Sequence, residues 1–397
     1  MSESTTRRGS EGQTFLVGPT LYLRGIELDD AKTGAAWYPS NFPLPAAVLE
    51  ERLKEDVPKN ARQREYRLIA CRRSDDVAVG SVWYRTEGWQ WADASVHANP
   101  MLAAEARAAI KAELVGLLIP YLVMERDLIS VWFETEAGEP AVEAAAVEIG
   151  MRKAYRLREA LLVNGVRRDQ VCYEALHPVW AERIGMPPEA VEGPVEREVR
   201  SPAPRSFPVV EGDPPQGAVM IGERIYLRPV EEEDAEEFAH RSRLEPETFF
   251  DNGRPVRSPI AIASFHKKLA EEDPPDWVRF AICLRETGEV IGSNGLDGID
   301  LVHRTAETET EIVRPEYRGG GYGTEAKHLL LAYAFERLGL HMVRSYVWQM
   351  NTRSAAALRK QGYRDAGSIA WVGQKNGELI GDDVFDLLAS EWQAARR

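Results

Sequence analysis

The chain has 397 residues, 44% of them hydrophobic and 28% charged, and a formal net charge of −14. This is a globular composition of a length that suggests two or three domains. The acidic balance argues against a general nucleic-acid surface, which needs clustered lysine and arginine, and suits either a cationic small substrate or plain solubility. No apolar run reaches the ~18 residues of a membrane span. The seven histidines show no metal-ligand spacing, and Cys71, Cys172 and Cys283 are far apart, as reduced, buried thiols would be.

In chain order, Met1 to Gln13 is polar, mixed in charge and without the apolar core of a secretory signal. It predicts a disordered tail on a cytoplasmic protein. Leu16 to Ala31 returns 204 positions on, with Tyr22-Leu23-Arg24 over Tyr226-Leu227-Arg228. Cys71 and Gly80-Ser81 return 212 positions on as Cys283 and Gly292-Ser293, and Gly150-Met151 as Gly362-Tyr363. A duplicated domain explains these matches better than convergence. Trp83, Trp89 and Trp91 sit in the hairpin region of the first copy, where alternating aromatics more often pack than wall a substrate cleft. Prolines at 187, 188, 194, 202, 204, 208, 214 and 215 mark a linker. The expected division is therefore a tail over 1–13, domains over 14–185 and 220–397, and a linker over 186–219.

In the second copy, Phe280-Ala281-Ile282 and Glu289-Val290-Ile291-Gly292 flank a Thr287-Gly288 turn and read as a hairpin. Ala306 to Pro315 reads as a strand. The run Arg318-Gly319-Gly320-Gly321-Tyr322-Gly323-Thr324-Glu325-Ala326 follows, then helical sequence from Lys327 to Leu338 and a strand from His341 to Trp348. A glycine-rich turn between a strand and a helix start gathers backbone N–H groups at the positive end of the helix dipole, with no Cβ atoms in the way. That predicts a pyrophosphate site. The spacing is neither the dinucleotide fingerprint nor a P-loop.

The run resembles the R/Q-x-x-G-x-G/A loop with which GCN5-related N-acetyltransferases (GNATs) hold coenzyme A. Residues 220–235, and Asn351-Thr352-Arg353-Ser354 followed by Leu358 and Gly362-Tyr363, resemble the RimJ/RimL-like branch. The resemblance implies an α/β (α+β) chain of two tandem GNAT folds, each a mixed, mostly antiparallel twisted sheet flanked by helices. It also implies acetyl-CoA as acyl donor and direct attack by an amine in a ternary complex. The diphosphate would rest on Gly319, Gly320, Gly321, Tyr322, Gly323 and Thr324, with Arg318 adding charge. The pantetheine arm would pair with backbone at Ile312, Val313 and Arg314, and a backbone N–H there would polarise the thioester. Asn351 would bond the pantetheine amide.

Ala306-Glu307-Thr308-Glu309-Thr310-Glu311 alternates strictly, so a regular strand puts its three glutamates on one face, unless a β-bulge known in the family flips part of the set. Crowded carboxylates raise one another's pKa, which suits a base near neutral pH. Glu307 ranks first as base and Glu309 is a candidate for catalysis or amine recognition; an exposed polar strand face is the plainer alternative. Many relatives carry an acidic tyrosine after the asparagine segment, where this chain has Leu358. Ser354 is the substitute, unless it only caps the following helix.

The first copy has Leu102 to Ile110 in the place of the glycine loop and Glu139-Pro140-Ala141-Val142 in the place of the asparagine segment. Alanine adds Cβ atoms and favours continuing the helix, so this copy is expected to bind coenzyme A poorly or not at all. The expected activity is N-acetylation of a primary amine on a small cationic metabolite such as an aminoglycoside, amino sugar or polyamine. No metal, nucleic acid or membrane partner is expected, and the chain would act as a pseudo-dimeric monomer or a homodimer. A different acyl donor, a protein N-terminus as acceptor, and a non-catalytic coenzyme A sensor remain open alternatives.

Overall fold

A computed structural model of the chain describes residues 14–62, 64–87, 90–184, 213–244, 258–271, 275–375 and 377–396. The tail over 1–13, Trp89 and most of the linker expected over 186–219 lie outside the described residues. The chain forms two compact units. The first comprises Met1–Ala154, Gln170–Glu189 and Ala370–Val372; the second comprises Tyr155–Asp169, Ala190–Ile369 and Gly373–Arg397.

The first unit contains β1 (Thr14–Val17), β2 (Leu21–Arg24), β3 (Glu65–Arg72), β4 (Ala78–Glu87), β5 (Trp91–Ala98) and β6 (Ser130–Glu136). The strand β8 (Val166–Leu176) joins it from Gln170 on, while most of β7 (Arg152–Val163) belongs to the second unit. The sheet order is β1-β2-β3-β4-β5-β6-β8. Among the described residues β5 and β6 pair in parallel, and β1–β2, β2–β3, β3–β4, β4–β5 and β6–β8 pair antiparallel. Along β5, Ala92, Ala94 and Ala98 are buried, which is the period of two expected of a sheet with one face on a core. The helix Ala104–Pro120 packs Leu114, Val115 and Leu118 on that face. It begins inside the alanine-rich segment that was expected to stay helical.

The second unit contains β9 (Met220–Ile221), β10 (Ile225–Pro229), β11 (Val278–Leu284), β12 (Val290–Asp300), β13 (Thr305–Ile312), β14 (Met342–Trp348), β15 (Arg364–Lys375) and β16 (Glu378–Leu388). Its order is β9-β10-β11-β12-β13-β14-β16-β15, and β13 and β14 are its parallel pair. The helix Tyr322–Ala332 returns along the sheet and buries Ala326, Leu329 and Leu330 against Ile225, Leu227, Phe280, Leu296 and Ala306. Each fully buried leucine contributes about 1.5–3 kcal/mol, so this face holds the helix start in place behind the strand. The fold is thus mixed α/β with a mostly antiparallel sheet. All three cysteines are buried and free. No helix among the described residues is long and apolar enough to cross a membrane.

Candidate active site

The site forms where β13 and β14 part. Their parallel ladder runs Thr305↔Met342, Ala306↔Val343, Glu307↔Arg344 and stops, although β13 continues to Ile312 and β14 to Trp348. Buried hydroxyls mark the branch point. Thr308 Oγ1 lies 2.7 Å from Ser345 Oγ and 2.8 Å from Tyr363 Oη, and Ser345 Oγ donates to the Thr308 carbonyl at 2.8 Å. Tyr363 is 1% exposed and belongs to the core.

Beyond the opening the chain makes a short turn at Pro315–Tyr317 and enters the glycine run. Gly319 has φ +79° and Gly321, the N-cap of the helix, φ +85°. Side chains other than glycine are strained in this left-handed region, so two of the four glycines are required by backbone conformation alone. A Cβ at Gly319 would meet nothing within 4 Å, so the loop is an open cradle. The first helical bond is Glu325 N–H to the Gly321 carbonyl at 3.0 Å. The N–H groups of Tyr322, Gly323 and Thr324 therefore precede the helical ladder and suit a diphosphate at the positive end of the dipole. A Cβ at Gly323 would sit 3.6 Å from Ile312 Cγ1, an ordinary contact, which accounts physically for the Gly/Ala tolerance of the loop pattern at this position.

Arg224 completes the loop and escaped the sequence reading. Its Nη1 donates to the Gly320 carbonyl at 2.8 Å, its Nε to Glu325 Oε2 at 2.9 Å, and its guanidinium lies 4.3 Å over the Tyr322 ring. It neutralises the one carboxylate at this helix start. Arg318 bends back, its Nε donating to the Ile312 carbonyl at 2.8 Å.

The segment expected to meet pantetheine makes backbone bonds of its own. The N–H groups of Val313 and Arg314 both aim at the Ile291 carbonyl, at 3.0 and 3.4 Å. Both are engaged with β12 in this structure, and the Ile312 carbonyl accepts from Arg318. The Arg314 side chain is held by Glu237 and Glu289. Asn351, 5% exposed, caps the helix Thr352–Lys360 by accepting the Ser354 N–H at 3.1 Å. Its carbonyl oxygen is thus engaged, which leaves the amide nitrogen for a pantetheine carbonyl. Ser354 is not the cap. Leu358 is 4% exposed in the core, so no hydroxyl replaces the tyrosine there.

The register between β12 and β13 is unbroken from Glu307 to Ile312; the irregularity falls between Asp297 and Asp300. No bulge divides the glutamates, and Glu307, Glu309 and Glu311 keep alternate positions. Glu309 is ion-paired with Arg279, which commits its carboxylate. Glu307 stands opposite Asp297 on one side and Arg344 on the other. Burial pushes the Glu307 carboxyl up to about 7; Arg344 opposes this, while Asp297, Glu309 and Asp382 add to it. Burial, then Glu309, raises Asp297 to about 6, and burial, then Asp383, raises Asp382 to about 7. Asp382 Oδ1 is buried with no hydrogen-bond partner. Sequence reasoning missed both aspartates, because β12 and β16 bring them beside Glu307 only once the sheet forms. It also missed Lys327, 5% exposed on the loop's helix, whose ammonium burial pushes down to about 7 against the pull of Glu309 and Glu307.

The same places in the first unit are filled differently. The helix there runs 17 residues, against 11 in the second unit, and each helix passes into a five-residue wider turn, Tyr121–Glu125 and Tyr333–Arg337. Lys111 Nζ donates to Glu139 Oε1 at 2.7 Å, and Glu139 also accepts from Thr135 Oγ1 at 2.7 Å. Trp83 Nε1 donates to Glu65 at 2.7 Å, and Trp91 stacks on Trp132 with centroids 4.4 Å apart, so both tryptophans pack within their unit.

A parallel strand pair that opens, a strand that turns through glycines with positive φ into a helix, and glutamates beside the opening define an acyl-CoA-dependent transferase site. The comparisons agree: residues 224–364 match the acetyltransferase (GNAT) domain family, so the C-terminal region is a GNAT acetyltransferase domain, of the class that passes an acyl group from acetyl-CoA to an amine. The uncharacterized N-acetyltransferase YoaA of Bacillus subtilis is 28% identical over 185 residues, 46% of this chain and 97% of that protein. The spermidine N(1)-acetyltransferase of Escherichia coli K12 is 35% identical over 82 residues, 21% of this chain and 44% of that protein. Among solved structures, a chimera of the Vibrio cholerae spermidine N-acetyltransferase SpeG and hSSAT is 22% identical, with a TM-score of 0.39, over 43% of this chain and 98% of that one.

Proposed function

We propose that the chain acetylates a primary amine on a small cationic metabolite of the polyamine or amino-sugar kind, with Glu307 as general base. The observation that carries this reading is the enclosed acidic group of Glu307, Asp297 and Asp382, which Arg344 and the buried Lys327 offset only in part. Carboxylates pushed this far up need a cation, and an ammonium substrate supplies one. Bound acetyl-CoA supplies an activated acyl carbonyl. The glycine-loop N–H groups and Arg224 hold its diphosphate end. Glu307 takes the proton from the acceptor ammonium, and Asp297 and Asp382 hold further positive charge on the same molecule. Ser354, freed of capping duty, takes the part of the missing tyrosine as proton donor to the departing thiolate.

We further read the two units as a duplicated domain with the first copy closed to coenzyme A. The support is a shared strand order and parallel pair, together with Arg24–Asp30 and Arg228–Asp234 at matching places, each arginine gripping its aspartate with both nitrogens. The Lys111–Glu139 pair and the longer helix are what close it.

Thiol release from acetyl-CoA, measured with spermidine, putrescine, kanamycin, glucosamine and a short peptide with a free N-terminus, tests the substrate class. Highest kcat/KM for one of the first four supports it. A preference for the peptide refutes the small-cation assignment, and acetyl-CoA binding without turnover on any amine favours a sensor.

A further inference from the structure

The acidic face of the second unit has a counterpart of opposite sign in the first. In the second unit, successive register partners across β11, β12 and β13 are Arg279, Gly295 and Glu309, and the arginine ends on a carboxylate. The matching rung in the first unit, across β3, β4 and β5, is Arg67, Trp83 and Ser95. The carboxylate has become a hydroxyl, and Arg67 makes no ion pair with a described residue. On the neighbouring rung, Ser293 and Glu311 are matched by Ser81 and His97, so a second carboxylate has become an imidazole.

These side chains converge. Arg67 Nη1 donates to Ser81 Oγ at 3.4 Å, and its guanidinium lies 5.7 Å from the centre of the Tyr38 ring. Ser81 Oγ gives its own proton to the Trp37 carbonyl at 2.6 Å. His97, directly across from Ser81, has its Nε2 buried with no hydrogen-bond partner. The nearby carboxylates are taken: Glu65, which acts on Arg67 from a distance, accepts from Trp83 Nε1 at 2.7 Å, and Asp93 from Arg85 at 3.0 Å. Lys111 is taken by Glu139. Burial pushes the Arg67 guanidinium down, and burial, then Arg67 and Lys111, push His97 down to about 4. An enclosed guanidinium without a counter-ion beside an orphaned imidazole nitrogen is costly unless an anion serves both. A carboxylate or phosphate oxygen accepts from the unused guanidinium N–H groups and from the imidazole N–H, and the aromatic ring closes one side.

We propose that the first unit binds a small anion, a carboxylate or phosphate group, between Arg67, His97 and Tyr38. The site does not depend on acetyl transfer, and it gives this unit a ligand of its own rather than a purely structural part.

The test uses the full chain, with sodium acetate and inorganic phosphate titrated separately at constant ionic strength in chloride. Calorimetry reads affinity, and the ring carbon signals of labelled histidines, assigned with His97→Gln, read the place. Saturable binding that moves the His97 signal is expected. Arg67→Gln should weaken it about tenfold to a hundredfold, the usual effect of removing a charge-assisted hydrogen bond. Gly321→Glu should leave it unchanged, which separates it from phosphate taken by the glycine loop. Tighter acetate points to a carboxylate ligand and tighter phosphate to a phosphorylated one. Binding that never saturates, or that ignores Arg67→Gln, overturns the proposal. Should Arg67→Gln fail to fold, a His97 signal in the unmodified chain that stays fixed at saturating anion overturns it equally.

Discussion

Replacing Glu307 by glutamine removes one negative charge from the most crowded part of the site and leaves the shape nearly intact. The folded chain raises this carboxyl from 4.5 to about 7, chiefly by burial. A carboxyl raised by folding is protonated in both states below about pH 4.5 and costs nothing there. Between pH 4.5 and 7 the unfolded chain loses its proton first, so the folded state's stability falls; above 7 the full cost is present. At about 1.4 kcal/mol per unit, the cost is on the order of 3 kcal/mol. Glu307→Gln should therefore stabilise the second unit by up to about 3 kcal/mol at pH 8 and by almost nothing at pH 4.5. The same variant should lose about 10²–10⁴ in kcat/KM, the usual worth of a general base, with acetyl-CoA affinity unchanged. In the unmodified enzyme the rate should rise with pH to a plateau above about 7, and the variant should lack that limb. Denaturant unfolding at the two pH values and a pH–rate profile by thiol release measure all of this. Equal stability gains at both pH values would refute the burial argument. A full rate with the limb intact would remove Glu307 as the base.

The glycine loop makes a graded prediction. Gly321→Ala, at φ +85° and with its Cβ 3.3 Å from Arg224 Nη2, should cost about 1–2 kcal/mol and weaken acetyl-CoA severalfold, whereas Gly323→Ala should leave calorimetric affinity within about twofold. Asn351→Ala removes a helix cap and should lower stability by about 1 kcal/mol in denaturant unfolding. Ser354→Ala should lower kcat without that loss, since Asn351 rather than Ser354 caps the helix; an unchanged kcat would leave the thiolate without this donor.

What the sequence made legible was local. The strand, the glycine run and the helix follow one another in the single stretch from Thr305 to Ala332, and each announces itself by period or by glycine. The glutamate face was legible because an unbroken register preserves alternation from Glu307 onward. The alanine-rich segment after Leu102 extends the first unit's helix, as propensity says it should. What stayed hidden was set across the sheet. Arg224 reaches Gly320 from a different strand, and Asp382 reaches Glu307 from β16. The N–H groups of Val313 and Arg314, just past β13, point to the Ile291 carbonyl of β12, a contact the sequence does not announce. That Ser95 holds the ladder position in the first unit that Glu309 holds in the second is visible only once the register is known.

The central claim is that one diphosphate grip exists in this chain and that it lies at Gly319 to Thr324. Calorimetric titration of the full chain with acetyl-CoA, beside the folded Gly321→Glu variant, tests it most directly. The account predicts one cofactor per chain and none in the variant, whose added side chain strains the φ +85° turn and sets a negative charge in the cradle. Two cofactors per chain, or binding that survives the substitution, would contradict it.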